Sequence, residues 1–153
     1  MVLSREKITD IEIRAAGISD FEEIENILKE NNMIVPDIDG KDAMSRICMS
    51  ENGRYFLAAK RGEEVVGFVR AVYDGSRALI HQMAVRKTMQ NQGIGKKLIH
   101  ELCTRLKSYG APTVSVTVTK ESALYYEKLS FEKLPITLML ANNIDEVLNR
   151  TKK

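Results

Sequence analysis

The 153-residue chain contains only two cysteines, Cys48 and Cys103, and they do not form a CxxC pair. No Cys and His residues have the spacing of a zinc site, so we expect no metal. We expect both thiols to be reduced and turned toward the core of a cytoplasmic protein, because disulfides are rare in that compartment. A chain of this length can bury a sufficient core without such cross-links.

Long apolar runs and a strong charge of one sign are also missing. No run approaches the length of a membrane-spanning helix, and Met1 to Asp10 lacks the apolar stretch of a signal peptide, so we expect no membrane partner. The formal net charge is +2, and the 23 basic and 21 acidic residues are interspersed. Nucleic-acid binding requires a clustered basic face, so we expect no nucleic-acid partner.

No linker, repeat or low-complexity segment divides the chain, and its length suits one domain. We therefore predict a single domain over residues 1–153. Period-two patterns and β-branched runs predict four early strands, at 11–14, 55–59, 65–73 and 78–85. Apolar residues at helical spacing predict helices over 21–28 and 44–48, with Ser19 or Asp20 as the first N-cap. Asp74-Gly75 is a hairpin signal, so the last three of these strands read as an antiparallel meander.

The second half of the chain has a different sequence pattern. Its predicted elements, in order, are a long amphipathic helix over 93–109, a strand over 113–119, a short helix over 122–129, a final strand or hairpin over 131–141 interrupted at Pro135, and a terminal helix over 144–153. Strand, helix and strand in succession indicate a parallel crossover.

One glycine-bearing loop joins the strand that ends at Val85 to the long helix. It reads Gln90-Asn91-Gln92-Gly93-Ile94-Gly95. Small residues let the backbone approach an anion, and the helix N-terminus supplies free N–H groups and a favourable dipole. Lys96 and Lys97 place positive charge in the first turn, which disfavours the helix itself. A polyanion bound nearby would explain this charge. The residues therefore predict a phosphate-binding helix start.

Two common nucleotide motifs do not fit this loop. A Walker loop needs glycine at Gln90 and Ser or Thr at Lys97, and a dinucleotide fingerprint needs a third glycine at Leu98. The alternative that the glycines only form a tight strand-to-helix turn stays open on the loop alone.

Two motifs together resemble a known family. Gln90-x-x-Gly93-x-Gly95, after a strand that ends in Ala84-Val85, resembles the (Q/R)xxGx(G/A) motif of the GNAT superfamily of acyl-CoA N-acyltransferases. Residues 122–131, SALYYEKLSF, resemble that family's A-x-x-x-Y-E-K-x-G-F segment. The resemblance covers most of the chain, including the opening strand and first helix.

The resemblance implies an α/β (α+β) fold in which a mixed, mostly antiparallel sheet is splayed open in the middle and flanked by helices. Acetyl-CoA would lie in the gap, with its pyrophosphate on backbone N–H groups from Gln92 to Lys96 and its pantetheine along Met83 and Val85. An N–H near Ala84 or Val85 would meet the thioester oxygen, since acyl transfer needs a placed oxyanion donor. The implied cofactor residues are Met83, Ala84, Val85, Gln90, Asn91, Gln92, Gly93, Ile94, Gly95, Lys96 and Thr119.

Two positions depart from the family pattern. Ser130 replaces the usual glycine before the motif's Phe131, and Thr119 stands where many members carry asparagine. The second change puts in doubt a contact to the pantetheine arm, not the fold.

Tyr126 and His81 are the catalytic candidates. Tyr126 stands where the family places its general acid, and a neutral phenol can protonate a departing thiolate. His81 matches a histidine that helps to deprotonate the amine in aralkylamine-type members, and imidazole suits that task near neutral pH. By strand alternation His81 shares a face with Leu79, Met83 and Val85. Two alternatives stay open: that Tyr126 only packs, and that His81 is a surface histidine with satisfied hydrogen bonds. His100 is interpreted as a surface residue.

Further candidates are weaker. Possible phosphate partners, each equally able to be solvated, are Arg86, Lys87, Lys96 and Lys97. Residues that could border an acceptor site are Glu12, Glu64, Asp74 and Gln82. Adaptable side chains for an apolar acceptor pocket, although core packing is the stronger interpretation, are Met33, Met44 and Met49.

The sequence therefore predicts an N-acetyltransferase that moves an acetyl group from acetyl-CoA to a small-molecule or peptide amine by direct attack. The competing hypotheses are a non-catalytic acyl-CoA sensor and a structural domain that binds partners. The edge of the final strand needs a partner or a cover. A homodimer that pairs through this edge would provide one.

Overall fold

The computed structural model describes residues 10–152. These residues form two compact units, one that ends at Val116 and one that begins at Thr117. The prediction of one domain over the whole chain stays a prediction.

The first unit is a five-stranded sheet with three helices. Its elements are β1 (Ile11–Ala15), α1 (Phe21–Glu30), α2 (Lys41–Met49), β2 (Phe56–Arg61), β3 (Glu64–Tyr73), β4 (Ala78–Val85), α3 (Ile94–Ser108) and β5 (Val114–Val116). The strands lie in the order β1-β2-β3-β4-β5; the first four are antiparallel to their neighbours, and β5 is parallel to β4. The predicted meander and parallel crossover are confirmed, and so is the mixed, mostly antiparallel sheet.

The sheet opens between its last two strands. β5 is only three residues long, shorter than the predicted 113–119, and it pairs only with Ala78–Ile80 of β4. Beyond Ile80, β4 continues for five residues with no strand on that edge among residues 10–152. This open edge is the feature that the family resemblance implies.

Helices cover the two faces of the sheet. The apolar side of α1 packs with Met44 of α2 against Phe56 and Phe68 on one face. Gly67 precedes Phe68 and therefore faces the other way, toward α3. A Cβ atom at Gly67 would lie 3.3 Å from side-chain atoms of both Ile94 and Leu98, and 3.2 Å from the Ala84 carbonyl. Glycine thus lets the first turn of α3 approach the strands closely.

Asp20 precedes α1, but its carboxylate does not cap that helix. It accepts the Gly17 N–H at 2.9 Å and an N–H of Lys60 Nζ at 2.9 Å. Both side chains of this ion pair are almost fully buried. Asp20 is the N-cap residue of α1, as predicted, but its carboxylate makes no capping bond to that helix because it binds Lys60 and the Gly17 N–H instead.

The second unit contains α4 (Lys120–Glu127) and α5 (Ile144–Thr151). The final strand predicted over 131–141 is absent, since these described residues form neither helix nor strand. Pro135 cannot donate a ladder hydrogen bond, and no strand of this unit offers a partner. Its apolar side chains are exposed, at Leu134, Ile136, Leu138, Met139 and Leu140.

Removing the buried carboxylate should destabilise the fold strongly. Asp20→Ala leaves Lys60 charged, buried and 4.0 Å from the fully exposed Glu63 carboxylate. We expect the free energy of unfolding to fall by about 3–5 kcal/mol, the usual cost of leaving one buried charge unpaired. Urea denaturation followed by circular dichroism measures this change.

A matched control is the pair of Glu25 and Lys29, which has the same 2.9 Å separation but lies at the surface. Glu25→Ala should cost less than about 1 kcal/mol. Equal losses in the two variants would contradict a special role for the buried pair.

Candidate active site

The start of α3 is built to present backbone N–H groups. Gly93 is the N-cap, it has the left-handed φ of 84°, and no side chain caps the helix. The first turn of a helix has N–H groups without intrahelical partners. The Lys97 N–H reaches back to the Gly93 carbonyl at 3.1 Å, which leaves the preceding amides directed out of the helix end. Asn91, Gln92 and Gly93 are exposed, so this end is accessible.

The exposed side chain of Gln90 holds the loop in place. Its Nε2 donates to the Val85 carbonyl at 3.0 Å and to Asn31 Oδ1 at 3.1 Å. Asn31 Nδ2 donates to the same Val85 carbonyl at 3.2 Å. The loop is therefore tied to the end of β4 and to the end of α1. The sequence interpretation missed Asn31, because nothing in its local pattern indicates a contact 54 residues away.

The open edge of β4 carries the backbone groups of Met83 and Val85. The Arg86 N–H bonds to the Val66 carbonyl of β3 at 2.8 Å. Because backbone groups alternate along a strand, Ala84 also turns toward β3, while Met83 and Val85 turn toward the open edge. Of the two predicted oxyanion donors, only the Val85 N–H faces this edge.

Arg86 contacts groups of α1 and β3. Its Nη2 donates to the Val65 carbonyl at 2.9 Å and to Glu23 Oε2 at 3.3 Å. Its buried Nε lies 3.7 Å from Glu64 Oε1. Two carboxylates and a carbonyl surround the guanidinium, and a contact from Arg86 to the cofactor stays a prediction. Lys87, Lys96 and Lys97 have exposed side chains.

His81 lies at a β-bulge, which strand alternation alone cannot reveal. Arg70 pairs with Gln82, and Ala71 pairs with Ile80, so His81 is the extra residue of β4. The bulge places Leu79 on the opposite face from Met83 and Val85. The predicted common face for these residues is therefore wrong, because one unpaired residue shifts the alternation.

The electrostatic surroundings of His81 favour its neutral form. Although the residue is exposed overall, partial burial is the largest cause that lowers its pKa. The positive charge of Arg70 lowers the pKa further, and the negative charge of Asp39 opposes the change. A neutral imidazole at neutral pH can accept a proton.

A small pocket lies between helices α1 and α2 and the sheet, with a volume of about 10 Å³, which is room for about one water molecule. Most of its lining is apolar: Ile24, Leu28, Ala43, Met44, Ile47, Phe56 and Phe68. Its polar residues are Asp39, Arg70 and Gln82. Met44 lines the pocket as the sequence interpretation allowed, whereas Met49 is 86% exposed.

The polar residues of the pocket form one network. Arg70 donates through Nε to Gln82 Oε1 at 2.8 Å and through Nη2 to Asp39 Oδ1 at 3.2 Å. Asp39 Oδ2 accepts the Val35 N–H at 2.8 Å, and Gln82 Nε2 donates to the Met33 carbonyl at 3.5 Å. The network joins β3, β4 and the segment between α1 and α2.

The other acceptor-site candidates have structural partners or lie elsewhere. Asp74 accepts the N–H groups of Ser76 and Arg77, both at 2.8 Å, within the β3–β4 turn. Glu64 pairs with Arg61 at 3.1 Å, and Glu12 is exposed on β1. Of these candidates only Gln82 lines the pocket.

Tyr126 is buried in the second unit, with 7% of its surface exposed. Its ring packs edge-on against Tyr125 and Phe131, each at a centroid distance of 5.3 Å. Burial, with a smaller contribution from Tyr125, raises the pKa of Tyr126 to about 12. The phenol is therefore protonated at neutral pH.

Thr119 has a structural role in the same unit. It is the N-cap of α4, and its Oγ1 accepts the Ser122 N–H at 3.3 Å. A cofactor contact through this hydroxyl would compete with that cap.

The loop, the open strand edge and the order of elements agree with one family. Residues 21–131 match the model of the Acetyltransferase (GNAT) family. The chain belongs to this family of acetyltransferases. No helix among residues 10–152 is long and apolar enough to span a membrane.

Individual relatives support the GNAT assignment. An acetyltransferase from Sodalis glossinidius (strain morsitans) is 28% identical over 139 residues, which cover 89% of this chain and 97% of that protein. A transcriptional regulator from Bacillus halodurans C-125 is 25% identical with a TM-score of 0.72, over 86% of this chain and 99% of that one. The glucosamine-6-phosphate N-acetyltransferase from Arabidopsis thaliana has a TM-score of 0.69 at 17% identity, over 87% and 99% of the chains. At that identity the likeness shows the GNAT fold alone.

The electrostatic description of His81 can be tested by NMR titration of its ring. Its pKa should lie below the usual histidine range. Arg70→Gln should raise it, because the variant removes a positive charge, and Asp39→Asn should lower it further. Arg46→Gln removes a positive charge from an exposed position of α2 and should leave the value unchanged. The same pKa in the Arg70 and Arg46 variants would contradict the assigned cause.

Proposed function

We propose that this GNAT protein is an acetyl-CoA-dependent enzyme that acetylates a primary amine by direct attack. The observation that carries the proposal is the uncapped start of α3 behind Gly93, next to the open edge of β4. The two features offer unpaired backbone donors in succession, first for phosphates and then for an extended polar chain. Coenzyme A contains both kinds of group, phosphates and an extended polar chain.

The residues fit such a ligand. Backbone N–H groups from Gln92 to Lys96 would hold its pyrophosphate, and the exposed lysines near the helix start add positive charge. Met83 would pair with its amide-containing arm. The Val85 carbonyl already accepts two side-chain bonds, so its N–H is the group left to bind.

Acetyl-CoA, when bound, supplies an activated acyl group. The Val85 N–H would donate to the thioester oxygen, where negative charge develops during attack. Gln90 and Asn31 hold the same peptide segment through the Val85 carbonyl and so fix the direction of the donor. Such preorganisation stabilises the transition state more than the ground state.

His81 would accept the proton of the attacking amine, directly or through water. Its lowered pKa keeps the ring neutral at neutral pH. Tyr126 would give its proton to the sulfur as the carbon–sulfur bond breaks, and its raised pKa keeps the phenol protonated. The two shifts prepare a base and an acid at the same pH.

Acyl-CoA sensing without turnover is the alternative function. It is supported by the likeness to the Bacillus halodurans protein, which is described as a transcriptional regulator. Release of the free thiol of coenzyme A in the presence of amines separates the two functions. We also infer a cytoplasmic location, which suits the free thiols of Cys48 and Cys103.

Acetyl-CoA should stabilise the protein, and Gly95→Glu should abolish that effect. At a hundredfold excess over its Kd the ligand adds about 2.7 kcal/mol. Glutamate in the first turn of α3 suits the helix dipole but repels phosphate, so the fold should persist while binding is lost. Thr104→Glu adds the same charge at an exposed position of the same helix and should bind normally. Thermal shifts measure binding by both variants. Normal binding by the Gly95 variant would mean that the loop is only a strand-to-helix turn and not a phosphate site.

Tyr126→Phe should lower turnover by roughly a hundredfold, the typical contribution of a general acid. The affinity for acetyl-CoA should be nearly unchanged, because the lost donor acts in the transition state. Stability should change little, since no described residue hydrogen-bonds to the hydroxyl. Single-turnover measurements are needed in case product release limits the rate. The exposed neighbour gives the control Tyr125→Phe, and equal rates in the two variants would contradict the acid role.

A further inference from the structure

We propose that the exposed apolar side chains of residues 134–148 form a surface through which two copies of this chain associate about a two-fold axis. The side chains of this C-terminal surface are those of Leu134, Ile136, Leu138, Met139, Leu140, Ile144, Val147 and Leu148. None of the proposed catalytic or cofactor-binding groups belongs to it, so association through this surface is independent of the proposed acetyl transfer.

The exposed apolar side chains are unusually dense in this part of the chain. All eight lie within residues 134–148, and Met139 and Leu140 have 87% and 80% of their surfaces exposed. Residues 10–116, by contrast, have five large exposed apolar side chains, at Ile18, Val35, Ile38, Met49 and Tyr109. Scattered apolar side chains are normal on a protein surface, whereas a dense group of them marks an interaction site.

Helix α5 needs a partner for its stability. It has eight residues, and every residue from 132 to 152 is exposed. Isolated helices of fewer than about 12 residues are marginal in water, because most helical stability in proteins comes from packing of an apolar side. Ile144, Val147 and Leu148 stand three and four positions apart, so they lie on one side of α5. That side is the part of the helix that a partner would cover.

The available apolar area matches one half of a dimer interface. A fully exposed aliphatic side chain offers on the order of 100 Å² of apolar area. Seven of the eight side chains are more than half exposed, so the C-terminal surface offers roughly 500 Å². A standard interface buries about 800 Å² on each partner, of which about 60% is apolar. The two apolar areas are therefore similar.

The charges around the surface favour a protein partner. Residues 131–153 carry three acidic and four basic side chains, so their formal charge is only +1. These side chains are Glu132, Asp145, Glu146, Lys133, Arg150, Lys152 and Lys153. A nucleic acid or an anionic membrane would require a clear excess of positive charge. Nearly balanced charge beside many apolar side chains suits association between proteins.

The order of charges along α5 favours a second copy as that partner. Asp145 and Glu146 lie in the first turn, and Arg150 lies in the last turn. In a two-fold interface the same patch of each copy meets itself. When two copies of α5 lie antiparallel with Leu148 near the axis, the acidic turn of each copy faces the basic turn of the other. Glu146 of each copy then lies opposite the partner's Arg150, and the charges are complementary.

Sedimentation of the 153-residue chain tests the proposal. A monomer has a mass of 17.3 kDa, and we expect twice this mass at micromolar concentrations. Leu140→Glu and Leu148→Glu should each raise the dimer Kd by at least about tenfold, because the interface would bury an unpaired charge. Both side chains are exposed, so the variants should fold, which circular dichroism checks. Met49→Glu is the matched control, since Met49 is equally exposed but lies on α2, and this variant should remain dimeric.

An exchange of charges tests the two-fold pairing. Glu146→Arg and Arg150→Glu should each raise the dimer Kd by at least about twofold, because each variant places like charges opposite one another. An equal mixture of the two variants should form a heterodimer in which both pairs again carry opposite charges. If the mixture associates no better than the separate variants, the two-fold pairing is wrong.

The remaining outcomes identify what else could cover the surface. A wild-type chain that stays monomeric at high micromolar concentrations overturns the proposed dimer. Flotation with vesicles of phosphatidylcholine and phosphatidylglycerol then tests a lipid surface, and vesicle binding by the monomer would assign the C-terminal surface to a membrane. An assay of amine acetylation separates the two proposals. A monomer that acetylates amines contradicts the dimer alone, and a dimer that binds acetyl-CoA without acetylating any amine contradicts the proposed function alone.

Discussion

The early end of the β4–β5 pairing is the constraint on which the rest of the candidate site depends. Backbone N–H and C=O groups need partners, yet β5 pairs with β4 only as far as Ile80. The chain satisfies one of the exposed groups itself, by directing Gln90 and Asn31 at the Val85 carbonyl. The same two bonds place the loop before α3 beside the strand edge. The early end of this pairing thus leaves an open strand edge beside a positioned helix N-terminus.

Two charged residues inside the sheet, Lys60 and Arg70, differ in how deeply they are buried. Lys60 on β2 has a buried carboxylate partner and solvent-excluded surroundings, so its pair with Asp20 joins the start of α1 to the sheet. Arg70 on β3 is less deeply buried, with 18% of its side chain exposed at the pocket. Both cations are tied to a nearby acid, and Arg70 is the more exposed of the two.

Much of the fold could be predicted from the sequence, because periodicity is local. The limits of β4 are those expected, and the long helix begins and ends within a residue of its predicted bounds. The bulge at His81 could not be predicted, because the register depends on two strands and the sequence of β3 contains no local signal of a bulge. Likewise, the contact between Asp39 and Arg70 spans 31 positions. A charged residue within the apolar β3 run was the available signal. The segment over 131–141 was predicted as a final strand or hairpin, but a strand without a neighbouring strand to pair with does not form.

The pKa shifts of the two candidate catalytic residues lead to one further step. Partial burial favours neutral imidazole at His81, and deeper burial favours neutral phenol at Tyr126. Proton transfer in the proposed reaction would leave the first positively charged and the second negatively charged. Both products are the forms that burial disfavours, so each residue returns readily to its starting state. His81 retains the solvent exposure through which it can release its proton. In the proposed reaction, the surroundings of each residue would favour both its starting form and its return to that form after each turnover.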